Sequence, residues 1–204
     1  LADMMLEHLR EQPGEIPGGY RVYVIPVMNP DGLHKVTDGV PLTEVDFSQK
    51  NTIPGRFNAR GVDLNRNWDS RWEPTSYWGR REVGAGTEPF SEPETRAVRD
   101  FLLERDPAVV IFFQSAANGI WYGGKHVGYE PARRLAEAYS EGSGYPLPEG
   151  GEGPVDYEIT GAASSYLYTQ EIPALTIELI THGSPEFQRN LGGVRAVFEA
   201  LKAR

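Results

Sequence analysis

Ala174-Leu175-Thr176-Ile177-Glu178-Leu179 is the stretch on which the reading of the fold turns. It is apolar and partly β-branched, and it reads as a strand interrupted by a single charge, Glu178. A carboxylate near the end of such a strand costs stability unless it is paired or at work. Two readings stand. Glu178 is either an edge-strand residue facing solvent or a general base at the carboxyl end of a strand, where ligands gather in open α/β sheets.

Working outward, Ala108-Val109-Val110-Ile111-Phe112-Phe113 has the continuous apolar character of a central strand buried on both faces, and it runs into Gln114-Ser115. Tyr20–Met28 reads as a third buried strand, running into Asn29-Pro30-Asp31-Gly32, whose residues suit a sharp turn. If these strands are parallel, their polar ends share one rim. Helices are expected over Leu1–Glu11, from Ser91-Glu92-Pro93-Glu94 (a capping box with Ser91 as N-cap) to about Arg105, and over Pro131 to about Glu141. A last helix is expected from Ser184-Pro185-Glu186 onward. Strands alternating with helices imply an α/β fold, a mixed and largely parallel twisted sheet with helices on both faces, in one domain over 1–204. Residues 33 to 90 show little periodicity, and an irregular stretch of that length in a compact domain usually has a task.

The totals set the class. The chain has 204 residues, 39% hydrophobic and 24% charged, as expected of a globular domain with a real core. A net charge of -9 lacks the basic footprint of a nucleic-acid binder. No apolar run is long enough to span a membrane. The absence of cysteine excludes disulfides, thiolate metal sites and thiol nucleophiles. The first residue is Leu1, within a helical pattern, so the expectation is a fragment or processed chain with its first strands missing.

Within the irregular region, Arg56-Phe57-Asn58-Ala59-Arg60-Gly61-Val62-Asp63-Leu64-Asn65-Arg66-Asn67-Trp68-Asp69 holds three arginines, three asparagines and two aspartates. It cannot bury itself as core without partners for its charges. It is either a solvated loop or a polar pocket in which planar arginine forks grip a carboxylate.

These residues, taken in order, resemble the zinc carboxypeptidases of the M14, or funnelin, type. The resemblance runs through Asn29-Pro30-Asp31-Gly32, Arg56 with Gly61 to Asn67, and Pro89-Phe90-Ser91-Glu92-Pro93-Glu94-Thr95. It continues through Gln114-Ser115-Ala116-Ala117-Asn118-Gly119, Tyr157-Glu158-Ile159-Thr160-Gly161 and Leu175 to Leu179. It implies that Arg56 polarises the scissile carbonyl and stabilises the oxyanion. Asn65 and Arg66 would bind the terminal carboxylate, Tyr157 would close over the substrate, and Glu178 would be the general base. Asp63, Arg60 and Asn67 are expected to hold the loop's shape. The implied ligand is a peptide or a peptidoglycan-type peptide, with a secreted or periplasmic setting slightly favoured and no charge selection from the segment Gly161 to Gln170.

Two departures shape the functional expectation. Gln114 stands where the family has a zinc-binding histidine, and a neutral carboxamide is a weaker zinc ligand than imidazole. The family's upstream His-x-x-Glu has no counterpart here, because His8-Leu9-Arg10-Glu11 ends the first helix and sits too close to Asn29. His34 and His126 are expected in loops and His182 near the rim, none of them as ligands. The expectation is therefore a metallocarboxypeptidase-type hydrolase whose zinc is absent or weakly held in this chain. The alternative is a non-catalytic binder of peptide C-terminal carboxylates.

Overall fold

Glu178 lies in the central strand of its sheet. In the computed structural model, which describes residues 1–122, 130–149 and 157–202, β5 (Ala174–Leu179) is flanked by β3 (Val110–Ser115) and β4 (Gly119–Trp121) in the order β3-β5-β4. β4 runs antiparallel to β5, with Gly119 opposite Glu178 and Trp121 opposite Thr176. β3 and β5 are parallel. Their starts are joined by the Val110 amide donating to the Pro173 carbonyl at 2.8 Å, and their far ends by Ser115 Oγ and His182 Nδ1 at 2.6 Å. The α/β reading holds, with a sheet that is mixed. The expected central strand is an edge strand instead: β3 is half-buried along most of its length, whereas β5 is buried from Ala174 to Glu178. Sheet order is a long-range property, and an apolar hexapeptide carries no label for its neighbours.

The helices are α1 (Ala2–Glu11), α2 (Pro30–Thr37), α3 (Pro93–Arg105), α4 (Glu130–Ser143), α5 (Ala163–Thr169) and α6 (Phe187–Lys202). A hairpin of β1 (Thr75–Trp78) and β2 (Arg81–Gly84) pairs Trp78 with Arg81 across the short Gly79-Arg80 connection. The long stretch expected to be irregular therefore contains the end of α2, this hairpin and four short 3₁₀ turns.

Several local expectations are corrected. Asn29-Pro30-Asp31-Gly32 opens α2 rather than turning the chain. The Asn29 side chain accepts from the Gly32 amide at 2.9 Å, with Pro30 at the first helical position. Turns and helix N-caps draw on the same residues, because both need a short polar side chain to satisfy a loose amide. Tyr20–Met28 is not a strand. It joins no strand ladder among the described residues, and Tyr23 and Ile25 are 49% and 44% exposed. Glu92, not Ser91, caps α3. Ser91 Oγ instead donates to Glu92 and accepts from Asn67 Nδ2, which outcompetes the local cap. The last helix begins at Phe187, after Ser184 Oγ has accepted the Glu186 amide. His34 lies in α2 rather than in a loop, and His126 falls outside the described residues.

The chain divides into two compact units, one of Leu1–Pro26, Ile111–Pro154 and Leu175–Arg204, the other of Val27–Val110 and Val155–Ala174. In the first, Leu135, Tyr139, Ile120, Leu175, Ile177, Leu191 and Val197 are fully buried. α4 and α6 approach closely through Gly142 and Gly192, where a Cβ on either would overlap the other's carbonyl oxygen. Asn190 joins the same helices by accepting from Tyr139 Oη at 2.7 Å, and burial raises the Tyr139 phenol above its ordinary range. In the second unit the fully buried set is mixed, with Trp68 and Leu167 beside Asn58 and Asn67. Trp68 packs against Phe90 and Tyr166 with ring centroids 5.5 and 5.7 Å away.

Candidate functional site

The loop from Arg56 to Asp69 is ordered and in large part buried, with Ala59, Arg60, Gly61 and Asp69 exposed, because its side chains bond nearby backbone. Asn58 Oδ1 accepts the amides of Arg60 and Val62, both at 3.0 Å, and closes a tight turn. Asp63 caps the 3₁₀ turn Leu64–Arg66 by accepting the Asn65 amide at 3.0 Å. Its second oxygen receives Arg56 Nε at 2.7 Å and a terminal guanidinium nitrogen at 2.6 Å. Asn67 is wholly buried. Its Nδ2 donates to the Ala85 and Glu88 carbonyls and to Ser91 Oγ, and its Oδ1 accepts the Glu92 amide and Thr95 Oγ1. Asp63 and Asn67 thus hold the loop's shape, while Arg60 lies outside, 3.8 Å from Glu92 and mostly exposed.

This frame brings four of the expected site residues into one unit. Arg66 is only 2% exposed. Its Nε and one terminal nitrogen donate to the Tyr77 carbonyl at 3.1 and 3.0 Å, and the other donates to the Asn65 carbonyl at 2.8 Å. The Tyr157 phenol lies near enough to the same guanidinium to interact with it electrostatically. Burial lowers the Arg66 pKa, the like charge of Arg56 adds to that, and Asp63 and Tyr157 oppose it. Arg56 lies 4.7 Å over the Trp78 ring, and its remaining terminal nitrogen has no partner among the described residues. Asn65 Oδ1 accepts the Ala163 amide at 3.0 Å, which leaves Nδ2 unengaged among the described residues. The segment that carries Tyr157 is stitched down on its far side. Arg71 pairs with Glu158 at 2.6 Å, Ser76 meets Thr160 at 3.0 Å, and the Gly161 amide donates to Ser70. At Gly161 φ is +64° and a Cβ would overlap the Arg66 carbonyl oxygen, so only glycine lets this segment lie against the loop. The arrangement offers two guanidinium groups, one carboxamide donor and one phenol, with Asp63 as the buried counter-charge. Such a set suits an anion with two oxygens.

Gln114 and Glu178 belong to the other unit, at the carboxyl ends of the parallel neighbours β3 and β5. Gln114 is half-buried and Glu178 is 6% exposed. The chain just beyond Glu178 is braced by Glu186, whose carboxylate accepts the Ile180 amide at 2.7 Å and Tyr145 Oη at 2.6 Å and is gripped by Arg189. Burial and the Glu186 hydrogen bond push the Tyr145 phenol up to about 12. His182, expected at the surface, bonds Ser115 from the same rim. His8 does not pair with Glu11. Its Nε2 lies 3.3 Å from Glu15, which Arg195 also binds. Among the described residues, no three His, Cys, Asp or Glu side chains stand close enough to hold a metal ion. Gln114, at one expected ligand position, offers a neutral carboxamide, a weaker zinc donor than imidazole.

Sequence reading missed α5 and the β1–β2 hairpin. The hairpin's signal was present in Thr75-Ser76-Tyr77-Trp78 and Arg81-Glu82-Val83-Gly84 on either side of Gly79-Arg80.

The chain is similar to known proteins in sequence and in fold. Residues 10–190 match the zinc carboxypeptidase family, Peptidase M14. Among curated proteins, γ-D-glutamyl-L-diamino acid endopeptidase 1 of Lysinibacillus sphaericus is 28% identical over 135 residues, 60% of this chain and 34% of that protein. The chain therefore spans about a third of that relative's length. Among solved structures, bovine thrombin-activatable fibrinolysis inhibitor superposes with a TM-score of 0.65 at 21% identity, covering 98% of this chain and 74% of that one. Murein-tripeptide amidase MpaA from Escherichia coli O157 does so at 0.54 and 24%, covering 86% and 65%. These likenesses are in fold, and the family match reaches across most of the sequence. The chain belongs to the zinc carboxypeptidase family, Peptidase M14.

Proposed function

We propose that this chain recognises the free C-terminal carboxylate of a peptide, and that as it stands it binds the peptide without cleaving it. The observation that carries the reading is the state of Arg66. Its guanidinium is buried and oriented by backbone carbonyls, beside the unengaged Nδ2 of Asn65 and the Tyr157 phenol. A fork fixed in this way loses little entropy on binding, and a carboxylate can take the position of the phenol oxygen while Tyr157 moves over the ligand. Arg56, held by Asp63, keeps one nitrogen for an oxygen nearer the peptide bond. Peptidoglycan-type peptides stand beside protein C-termini as ligands, because the relatives above include proteins named for a murein tripeptide and a γ-D-glutamyl bond.

Binding without cleavage is supported by Gln114, which offers a neutral carboxamide where the resemblance expects an imidazole ligand. The test is titration of the full chain with a peptide as free acid and as C-terminal amide. The free acid binds, the amide does not, and Arg66→Ala weakens the free acid by about 100-fold, the scale for truncating one partner of a buried charge pair. Equal binding of acid and amide rejects the reading.

Hydrolysis of the bond next to that carboxylate is the second reading, favoured by one observation. Glu178 is a buried carboxylate at the end of a strand that is otherwise apolar or hydroxyl-bearing, the setting of a general base. Zinc titration of the full-length protein with Gln114 and with Gln114→His separates the two. Tight zinc binding and peptidase activity with Gln114 in place, lost in Glu178→Gln, would replace the first reading by the second.

A further inference from the structure

The chain carries a net charge of -9, yet the hairpin beside the proposed carboxylate clamp presents unpaired positive charge. Arg80 and Arg81 are exposed, and neither has an ion-pair partner among the described residues. Arg81 is the cross-strand partner of Trp78, so the two share a face of the hairpin. That face meets the clamp at two points. Arg56 lies over Trp78 at 4.7 Å, and Arg81 lies 5.9 Å over the ring of Phe57, the residue after Arg56. The hairpin is also tied to the clamp's second arginine, since Tyr77 supplies the carbonyl that holds Arg66. A cleft of about 510 Å³ opens here, lined by Lys35, Phe57, Gly61, Arg81 and Glu82 among others. Its size suits a peptide side chain or small ligand. Lys35 is spent on the Phe57 and Asn58 carbonyls. Glu82 is the backbone cross-strand partner of Tyr77, so it alternates with Arg81 along β2 and faces away from the Trp78–Arg81 side of the hairpin. Among the described residues, Arg81 is therefore the cation on this wall that has no backbone or carboxylate partner and faces the same way as Trp78.

We propose that Arg81 is a specificity-determining residue that selects acidic peptides, those with a side-chain carboxylate one or two residues before the C-terminal carboxylate. The inference rests on the reading of Arg66, Asn65 and Tyr157 as the clamp for the terminal carboxylate. The clamp neutralises the first negative charge and Arg81 the second. The aromatic pair Trp78 and Phe57 keeps both arginines on one side of the hairpin. With a net charge of -9 the chain as a whole repels a dianionic ligand, so the local field at Arg81 bears on whether such a ligand is accepted.

The test titrates the full chain with three blocked peptides, acetyl-Glu-Ala-Ala, acetyl-Gln-Ala-Ala and the C-terminal amide of the first. At low ionic strength the glutamyl free acid binds about 3- to 5-fold more tightly than the glutaminyl one, the scale of a single exposed ion pair. The preference shrinks as salt is added. It disappears in Arg81→Gln, persists in part in Arg81→Lys, and is unchanged in Arg80→Gln. Arg81 is exposed, so these variants fold, and their circular dichroism matches that of the parent. Equal binding of the two free acids, or a preference that survives Arg81→Gln, overturns the proposal while leaving the clamp reading intact. An amide that binds as well as its free acid, or no binding of any peptide, overturns the clamp reading and this inference with it.

Discussion

The loop from Arg56 to Asp69 and the rim formed by the ends of β3 and β5 both offer polar groups, but they are built in opposite ways. In the loop the side chains make the backbone. Asn58, Asp63 and Asn67 supply the hydrogen bonds that regular secondary structure would otherwise provide. At the rim the backbone makes itself through the sheet ladder, and Gln114 and Glu178 are carried on it. A polar residue in the loop is therefore structural and functional at once, whereas one at the rim can be exchanged without the strand responding. On the resemblance, that difference accounts for a loop that keeps its expected polar residues while a strand end carries Gln114 at an expected histidine position. A carboxamide is close in shape to an imidazole, and a strand held by backbone bonds registers little of the change.

The comparison breaks most visibly at Asn67. Asn67→Ala removes five hydrogen bonds inside the second unit and leaves the Glu92 amide without its acceptor, while the Ala85 and Glu88 carbonyls, Ser91 Oγ and Thr95 Oγ1 keep their other partners. It is expected to cost about 3 kcal/mol of unfolding free energy. Denaturant titration reads this directly. A loss below about 1 kcal/mol would mean that water replaces the side chain and that the loop frame is not built as described.

A smaller effect sharpens the picture of the first unit. Arg195 and His8 hold the Glu15 carboxyl down to about 2, from an ordinary value of 4.5. A carboxylate depressed on folding adds stability above its unfolded pKa, and that stability is lost as pH falls from about 4.5 towards 2. Because Glu15 lies at the surface, the contribution is under about 1 kcal/mol after screening. It is visible as a difference in acid-unfolding midpoint between the parent and Glu15→Gln, and identical acid limbs for the two would remove the pair from the account.

The smallest expected change is at Gln114. Gln114→His leaves stability within about 0.5 kcal/mol, the range of substitutions that break no network, as measured by thermal or denaturant unfolding without added metal. A large loss would show that the rim, like the loop, is held by its side chains, and the contrast between the two regions would fall.

Much of this was legible in advance. The strand Ala174–Leu179 was readable to the residue because it is short, apolar and bounded by Pro173. The helices α1, α3, α4 and α6 were readable within a few residues because their apolar spacing is local information. The composition of Arg56–Asp69 left two readings open, a solvated loop or a polar pocket, and the ordered motifs pointed to the second. The failures were equally physical. Tyr20–Met28 has the residues of a strand, but a strand exists only by pairing, and here it has no ladder. Ser91 had a capping box to join, but Asn67, 24 residues earlier in the chain, took its hydroxyl first. Asn29 to Gly32 could begin a helix or a turn, and what followed decided between them.

The sequence by itself determined the family, the identity of the charged groups and the elements whose pattern is written in neighbouring residues. Only the tertiary structure decided which donors remain for a ligand. Whether Arg66 is solvated or buried depends on the Tyr77 carbonyl, whether Asn65 has its carboxamide oxygen taken and its Nδ2 left depends on the Ala163 amide, and whether Arg81 is spent depends on the hairpin register. Hydrogen bonds and charges are satisfied by whatever lies nearby in space, and nearness in space between residues tens of positions apart is settled by packing rather than by composition.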